Sequence, residues 1–117
     1  MTHLLAHAWR WLFWFAMAAT LLLSLLPPSG IPPALTFWDK AQHALGFVVL
    51  AWLALASGMR TQRVLVGLLL WGAVIELLQS LTSWRQGDVW DWVADAVGVL
   101  MGCLLYRLRP LGPTMRP

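Results

Sequence analysis

Four long apolar stretches, separated by prolines, glycines and short polar runs, set the pattern of this chain. The first runs from about Leu4 to Leu26 and carries no formal charge after Arg10. It places Trp9, Trp11 and Trp14 where a headgroup belt would lie. Pro27 and Pro28 end it. Residues 27–38 (PPSGIPPALTFW) form an extended or turning connection, because each proline lacks an amide donor and restricts the residue before it. The second stretch begins near Asp39 and reaches Met59, and the tight connector Arg60-Thr61-Gln62-Arg63 makes an antiparallel helical hairpin with the third, Val64 to about Leu81. A short loop, Thr82 to Gly87, leads into the fourth, Asp88 to about Tyr106, and Pro110, Pro113 and Pro117 fray the tail. The pattern predicts helices over about 4–26, 39–59, 64–81 and 88–106. No repeat or low-complexity linker divides them, so residues 1–117 read as a single domain.

Composition decides where these helices live. Hydrophobic residues make up 60% of the chain, charged residues 11%, and the mean hydropathy is +0.69. Soluble domains carry about 25% charged residues. This chain has too few to cover a water-facing surface, which excludes a typical cytosolic enzyme. The expected fold is all-α: an integral membrane bundle of four transmembrane helices of about 20 residues each, with the lipid bilayer as its first partner. The pI of about 10.0 reflects a shortage of acids, and the basic residues are scattered, so nucleic acid is not an expected partner. Arg10, Arg60, Arg63, Arg107, Arg109 and Arg116 flank one end of the stretches and Lys40 and Arg85 the other, which predicts cytoplasmic N and C termini. Read instead as a secretory signal with Arg10 as its positive region, the core Trp11 to Leu26 would be long, and no A-x-A site follows Pro27. Cys103 is alone and reads as a small packing residue.

The acids Asp39, Glu76, Asp88, Asp91 and Asp95 all fall toward the extracytoplasmic ends of the second, third and fourth helices. Asp88, Asp91, Asp95, Gly98 and Gly102 follow a 3-4-3-4 spacing that confines them to a stripe about 80° wide. The Gly98 to Gly102 pair lets a neighbouring backbone come close, so the stripe faces protein. Gly72, Glu76 and Gln79 share a face of the third helix, and Asp39, His43, Gly46 and Leu50 one of the second. A charge at mid-bilayer costs about 2.5–3.5 kcal/mol, so buried polar groups collect in an interior. One shared pocket beneath the outer surface is the economical arrangement.

Each residue also has a plainer reading. Asp88 and Asp39 suit helix N-caps, and Asp91 suits the third position of an acidic capping box. Gln79 suits a bond between helices. Glu76, about 9 Å inside its helix, suits an ion pair with Arg85, Lys40 or protonated His43. Asp95 lies too deep to cap. His43 could be a satisfied core group but for the carboxylates expected opposite it.

Asp39-Lys40-x-x-His43, then Glu76-x-x-Gln79, then Arg85 with Asp91 and the Gly98-x-x-x-Gly102 ending, in this order on successive apolar helices, resembles the VanZ-like family. The resemblance spans about Leu22 to Gly102. It implies a multi-pass protein of a bacterial cytoplasmic membrane, with Asp39, Lys40, His43, Glu76, Gln79, Arg85 and Asp91 as motif positions. Asp95 stands where the family often has asparagine, which adds an acid to the cluster. The family is named for a protein associated with teicoplanin resistance. That role is not carried over to this chain.

Five acids against Lys40 and Arg85 leave the pocket at a formal −3 with His43 neutral. Three functions fit. The first is binding of a cell-envelope component, such as an amine-bearing or lipid-linked wall precursor, by Asp39, Lys40, His43, Glu76, Gln79, Arg85, Asp91 and Asp95. The second is hydrolysis of a lipid-linked ester, with catalytic candidates His43, Glu76 and Asp91. There His43 and Glu76 would act as base and orienter, or His43, Glu76, Asp91 and Asp95 would hold a divalent metal. The third is a small transporter or proton relay, although no polar residues continue the path toward the cytoplasm. The glycine faces also permit a homo-oligomer.

Overall fold

The computed structural model describes residues 2–27, 29 and 39–108, and the side chains of all of these except Thr2 and Asp39. Expectations for the Asp39 side chain, for most of the 27–38 connection and for the tail after Leu108 lie outside the described residues. The fold is all-α, with helices α1 (Thr2–Leu25), α2 (Asp39–Ala56), α3 (Thr61–Ser80) and α4 (Val89–Leu108). Three of them, over His3–Leu25, Thr61–Ser80 and Val89–Leu108, are long and apolar enough to cross a membrane, whereas Lys40–Ala56 is a shorter apolar helix.

The main departure from expectation is the end of α2, at Ala56 and not Met59. The amide of Gly58 donates to Leu55 O and that of Met59 to Ala54 O, which satisfies two carbonyls of the last turn. Gly58 sits at φ +93°, in the left-handed region that glycine adopts without strain. Ser57-Gly58 is thus the stop signal, and the hairpin turn lies before the basic run. Arg60 is extended and precedes α3, while Thr61, Gln62 and Arg63 already form its first turn. α2 starts at Asp39 as expected, α3 starts three residues early, and the remaining boundaries differ by one or two residues.

α2 touches all three other helices and packs most extensively on α4. Its Phe47, Leu50, Ala51 and Ala54, at helical spacing, join Phe13, Val64, Leu68, Ile75 and Val99 in the core. The α2–α4 approach depends on glycine. A Cβ at Gly98 would strike the Ala44 carbonyl oxygen, and one at Gly102 would lie 2.5 Å from Val48 O and 2.8 Å from the Ala51 Cβ. The small-residue face that permitted self-association is therefore taken up within the chain by α2. Large apolar side chains such as Trp11, Phe15 and Leu22 of α1, Val66 and Leu70 of α3, and Leu100 and Leu104 of α4 stay exposed. So much apolar surface marks contact with something other than water.

Candidate functional site: a histidine ringed by carboxylates

The glycine-mediated register of α2 on α4 aligns the first two turns of both helices at the end where α3 finishes. Lys40 and His43, one turn apart on α2, there meet Asp88, Asp91 and Asp95 of the α4 stripe. Lys40 Nζ lies 3.2 Å from both Asp88 Oδ2 and Asp91 Oδ1. His43 Nδ1 lies 2.9 Å from Asp95 Oδ1, and its Nε2 faces Asp91 Oδ2 at 3.8 Å. Glu76 of α3 completes the ring, with Oε1 3.8 Å from His43 Nδ1. The side chains of His43, Glu76, Asp91 and Asp95 are only 9%, 12%, 6% and 0% exposed. The His43–Asp95 contact is a hydrogen bond whose donor is set by the imidazole tautomer; with Asp95 as carboxylate, the Nδ1–H donates. The hydrogen-bonded neighbour of His43 is Asp95, whereas Glu76, expected as its orienter in one of the enzyme readings, stands 3.8 Å away.

Glu76 has a further attachment. Asp88 is the N-cap of α4, since its Oδ1 accepts from the Trp90 amide at 2.9 Å. In a capping box the residue at the third helical position, here Asp91, would bond the Asp88 amide. Instead Glu76 Oε2 takes that amide at 2.9 Å from the neighbouring helix, and Asp91 turns to Lys40. Asp88 has its carboxyl held below the usual range, first by the Trp90 amide and then by the Lys40 ammonium. α3 ends at Ser80, so Glu76 is about 6 Å inside it, nearer the end than the expected 9 Å.

Two glycines that sequence reasoning left unassigned, or placed only on a helix face, shape the site. A Cβ at Gly72 would come 2.8 Å from Asp95 Oδ2, so the bare α3 backbone makes room for that carboxylate. A Cβ at Gly87 would come 2.8 Å from the Glu76 carbonyl oxygen, so the α3–α4 loop closes tightly on α3. Trp92 turns inward. It is half-buried and donates its indole N–H to Leu69 O at 2.9 Å.

Gln79 and Arg85 do not join the ring. Gln79 Nε2 donates to Ser24 O at 2.9 Å, Trp84 Nε1 to Leu25 O at 2.9 Å, and Arg85 Nε to Leu26 O at 3.1 Å. These three consecutive carbonyls close α1, ahead of Pro27, and a helix cannot satisfy its own last carbonyls. A cation is also favoured at a helix C-terminus. Gln79 and Arg85 thus cap α1 from another part of the chain, and the expected Glu76–Arg85 pairing is not formed.

Of the expected metal donors, His43, Glu76 and Asp95 each offer one ligand atom within 4.8 Å of the others, and Asp91 falls outside that group. Nitrogen and carboxylate donors of this kind suit zinc or manganese. With Lys40 the lysine set against Glu76, Asp88, Asp91 and Asp95, the ring keeps an excess of negative charge among the described residues. The chain matches no family model, no curated protein and no solved structure.

Proposed function

We propose that this chain is a VanZ-like protein of a bacterial cytoplasmic membrane, crossing it four times with both termini in the cytoplasm, and that its outward-facing pocket binds an amine-bearing component of the cell envelope. The observation that carries this reading is the imbalance around His43: three nearly buried carboxylates, Glu76, Asp91 and Asp95, with Lys40 already shared between Asp88 and Asp91. Glu76 Oε1 is buried with no hydrogen-bond donor, a costly state in a low-dielectric interior, and an incoming ammonium would supply that donor together with positive charge. A lipid-linked wall precursor is the class of ligand that such a membrane-level pocket would meet. The placement of Lys40 and Arg85 opposite the other arginines supports the orientation, and α2, though shorter, is packed against all three other helices.

The three-donor set His43, Glu76 and Asp95 favours a second reading, a membrane hydrolase. A divalent metal there would supply a water activated at neutral pH. In that reading His43 of α2, Glu76 of α3 and Asp95 of α4 would hold the metal, one donor from each helix. Transport gains no such support, because the described middle of the bundle buries Leu50, Ala51, Ala54, Leu68 and Val99.

One titration separates the two readings. Protein carrying 13C-labelled carboxylates, held in detergent, is exposed first to ethylamine and then to zinc. Ethylamine should shift the Glu76 and Asp95 carboxyl signals, with affinity reduced about tenfold in Glu76→Gln and in Asp95→Asn. No shift from ethylamine in folded protein removes the amine reading. Stoichiometric zinc that survives dialysis and disappears in His43→Ala would install the hydrolase reading in its place.

A further inference from the structure

Glu76 lies on a boundary. Its Oε2 is committed to the Asp88 amide, while the buried Oε1 has no hydrogen-bond partner. The same residue lines a cleft of about 310 Å3 between α3 and α4, together with Ala73, Leu77, Gly87, Asp88, Val89 and Trp92. The wall has two characters. Ala73 and Leu77, one turn apart on α3, are exposed and apolar, and Val89 faces them from the start of α4; Leu77 and Val89 are 61% and 74% exposed. The formal charges on the wall are the carboxylates of Glu76 and Asp88. The cleft therefore opens on the apolar flank of two helices long enough to span a membrane, and ends at acids of the ring.

We propose that this cleft is a lateral port through which an amphiphile with a hydrocarbon chain and a primary-amine head reaches Glu76 from the outer leaflet. The chain lies along Ala73, Leu77 and Val89, and the ammonium sits between the Asp88 and Glu76 carboxylates. The inference rests on the amine-binding reading and adds the route and the class of ligand. Charge selects the head: a phosphate would meet the Glu76 carboxylate and Asp88, which Lys40 already pairs, with no base on the wall. Depth selects the tail, since the exposed part of the wall would be bathed in hydrocarbon, where a chain loses nothing by lying against it.

The test uses the full chain in phosphatidylcholine nanodiscs and a long-chain alkylamine bearing a diazirine midway along its chain. Irradiation should label peptides containing residues 73–77 and 89–92. Unlabelled alkylamine should compete, and the alcohol of equal length should not. Ala73→Phe, which narrows the cleft from an exposed position, should cut labelling about tenfold, as should Glu76→Gln. Asp88→Asn keeps the N-cap and removes the charge, so its loss of labelling cannot be ascribed to unfolding. Equal labelling by amine and alcohol would reduce the cleft to a lipid contact and overturn the proposal. If ethylamine still shifts the Glu76 carboxyl but Ala73→Phe leaves alkylamine labelling unchanged, the pocket stands and the lateral port falls. If neither probe responds, both fall.

Discussion

At the scale of single residues, one side chain joins two tasks. Glu76 caps α4 through Oε2 and turns Oε1 toward His43, so the helix terminus and the ring share one carboxylate. Sequence reasoning found Glu76 because an acid inside an apolar run is costly, and it found His43 from its place on the face of Asp39. It could not tell that Asp95, and not Glu76, would be the hydrogen-bonded partner of the imidazole, because spacing along a helix gives direction but not reach. Gln79 shows the opposite case, since its spacing from Glu76 places it on the pocket face while its amide serves Ser24. Gln79→Leu should therefore lower thermal stability by about 1–3 kcal/mol, because a buried α1 carbonyl loses its donor. Ethylamine affinity should stay near that of the parent. Thermal unfolding and the carboxyl titration on the same sample check both halves, and an affinity loss as large as that of Glu76→Gln would return Gln79 to the site.

At the scale of elements, the site is a consequence of how closely α2 can approach α4. Gly98 and Gly102 admit Ala44, Val48 and Ala51, and that register carries Lys40 and His43 to the level of Asp91 and Asp95. Overpacking a core contact costs about 1–3 kcal/mol or more. Gly98→Leu should exceed the lower figure, because it meets backbone at Ala44, which cannot change rotamer. Its signature is that binding fails together with stability, seen as a lowered melting temperature and loss of the ethylamine shift; retention of both would mean that the register does not depend on this glycine. The small-residue spacing was legible in the sequence. Which helix it would receive was not, since any apolar face with a small residue could have filled it. The stop at Ser57-Gly58 was also legible as a glycine signal, but the basic run after it drew the boundary too far.

At the scale of the whole molecule, the arrangement is asymmetric. Among the described residues the acids collect at the end where α2 and α4 begin, and Arg60, Arg63 and Arg107 lie at the other end. The long axis measures 45 Å, close to the 40–45 Å of a bilayer with its headgroups. The proposed orientation puts the α3–α4 loop outside. With Cys103 replaced by Ala, Ser83→Cys should react with an impermeant maleimide added to intact cells, whereas Gln62→Cys should react only after lysis. The reverse pattern would turn the pocket to the cytoplasm and remove the envelope ligand from its reach.

The amino-acid order alone determined that the chain is helical, that its helices are too apolar for water, and that acids and glycines line one stripe of α4. Periodicity and hydropathy are local properties, and a linear pattern states them in full. Tertiary structure decided the partners. It gave Asp95 to His43, the Asp88 amide to Glu76, and Gln79 and Arg85 to the end of α1, and it spent the glycine face within the chain. Those assignments depend on distances between helices far apart in sequence, which are set by how closely backbones approach once packed.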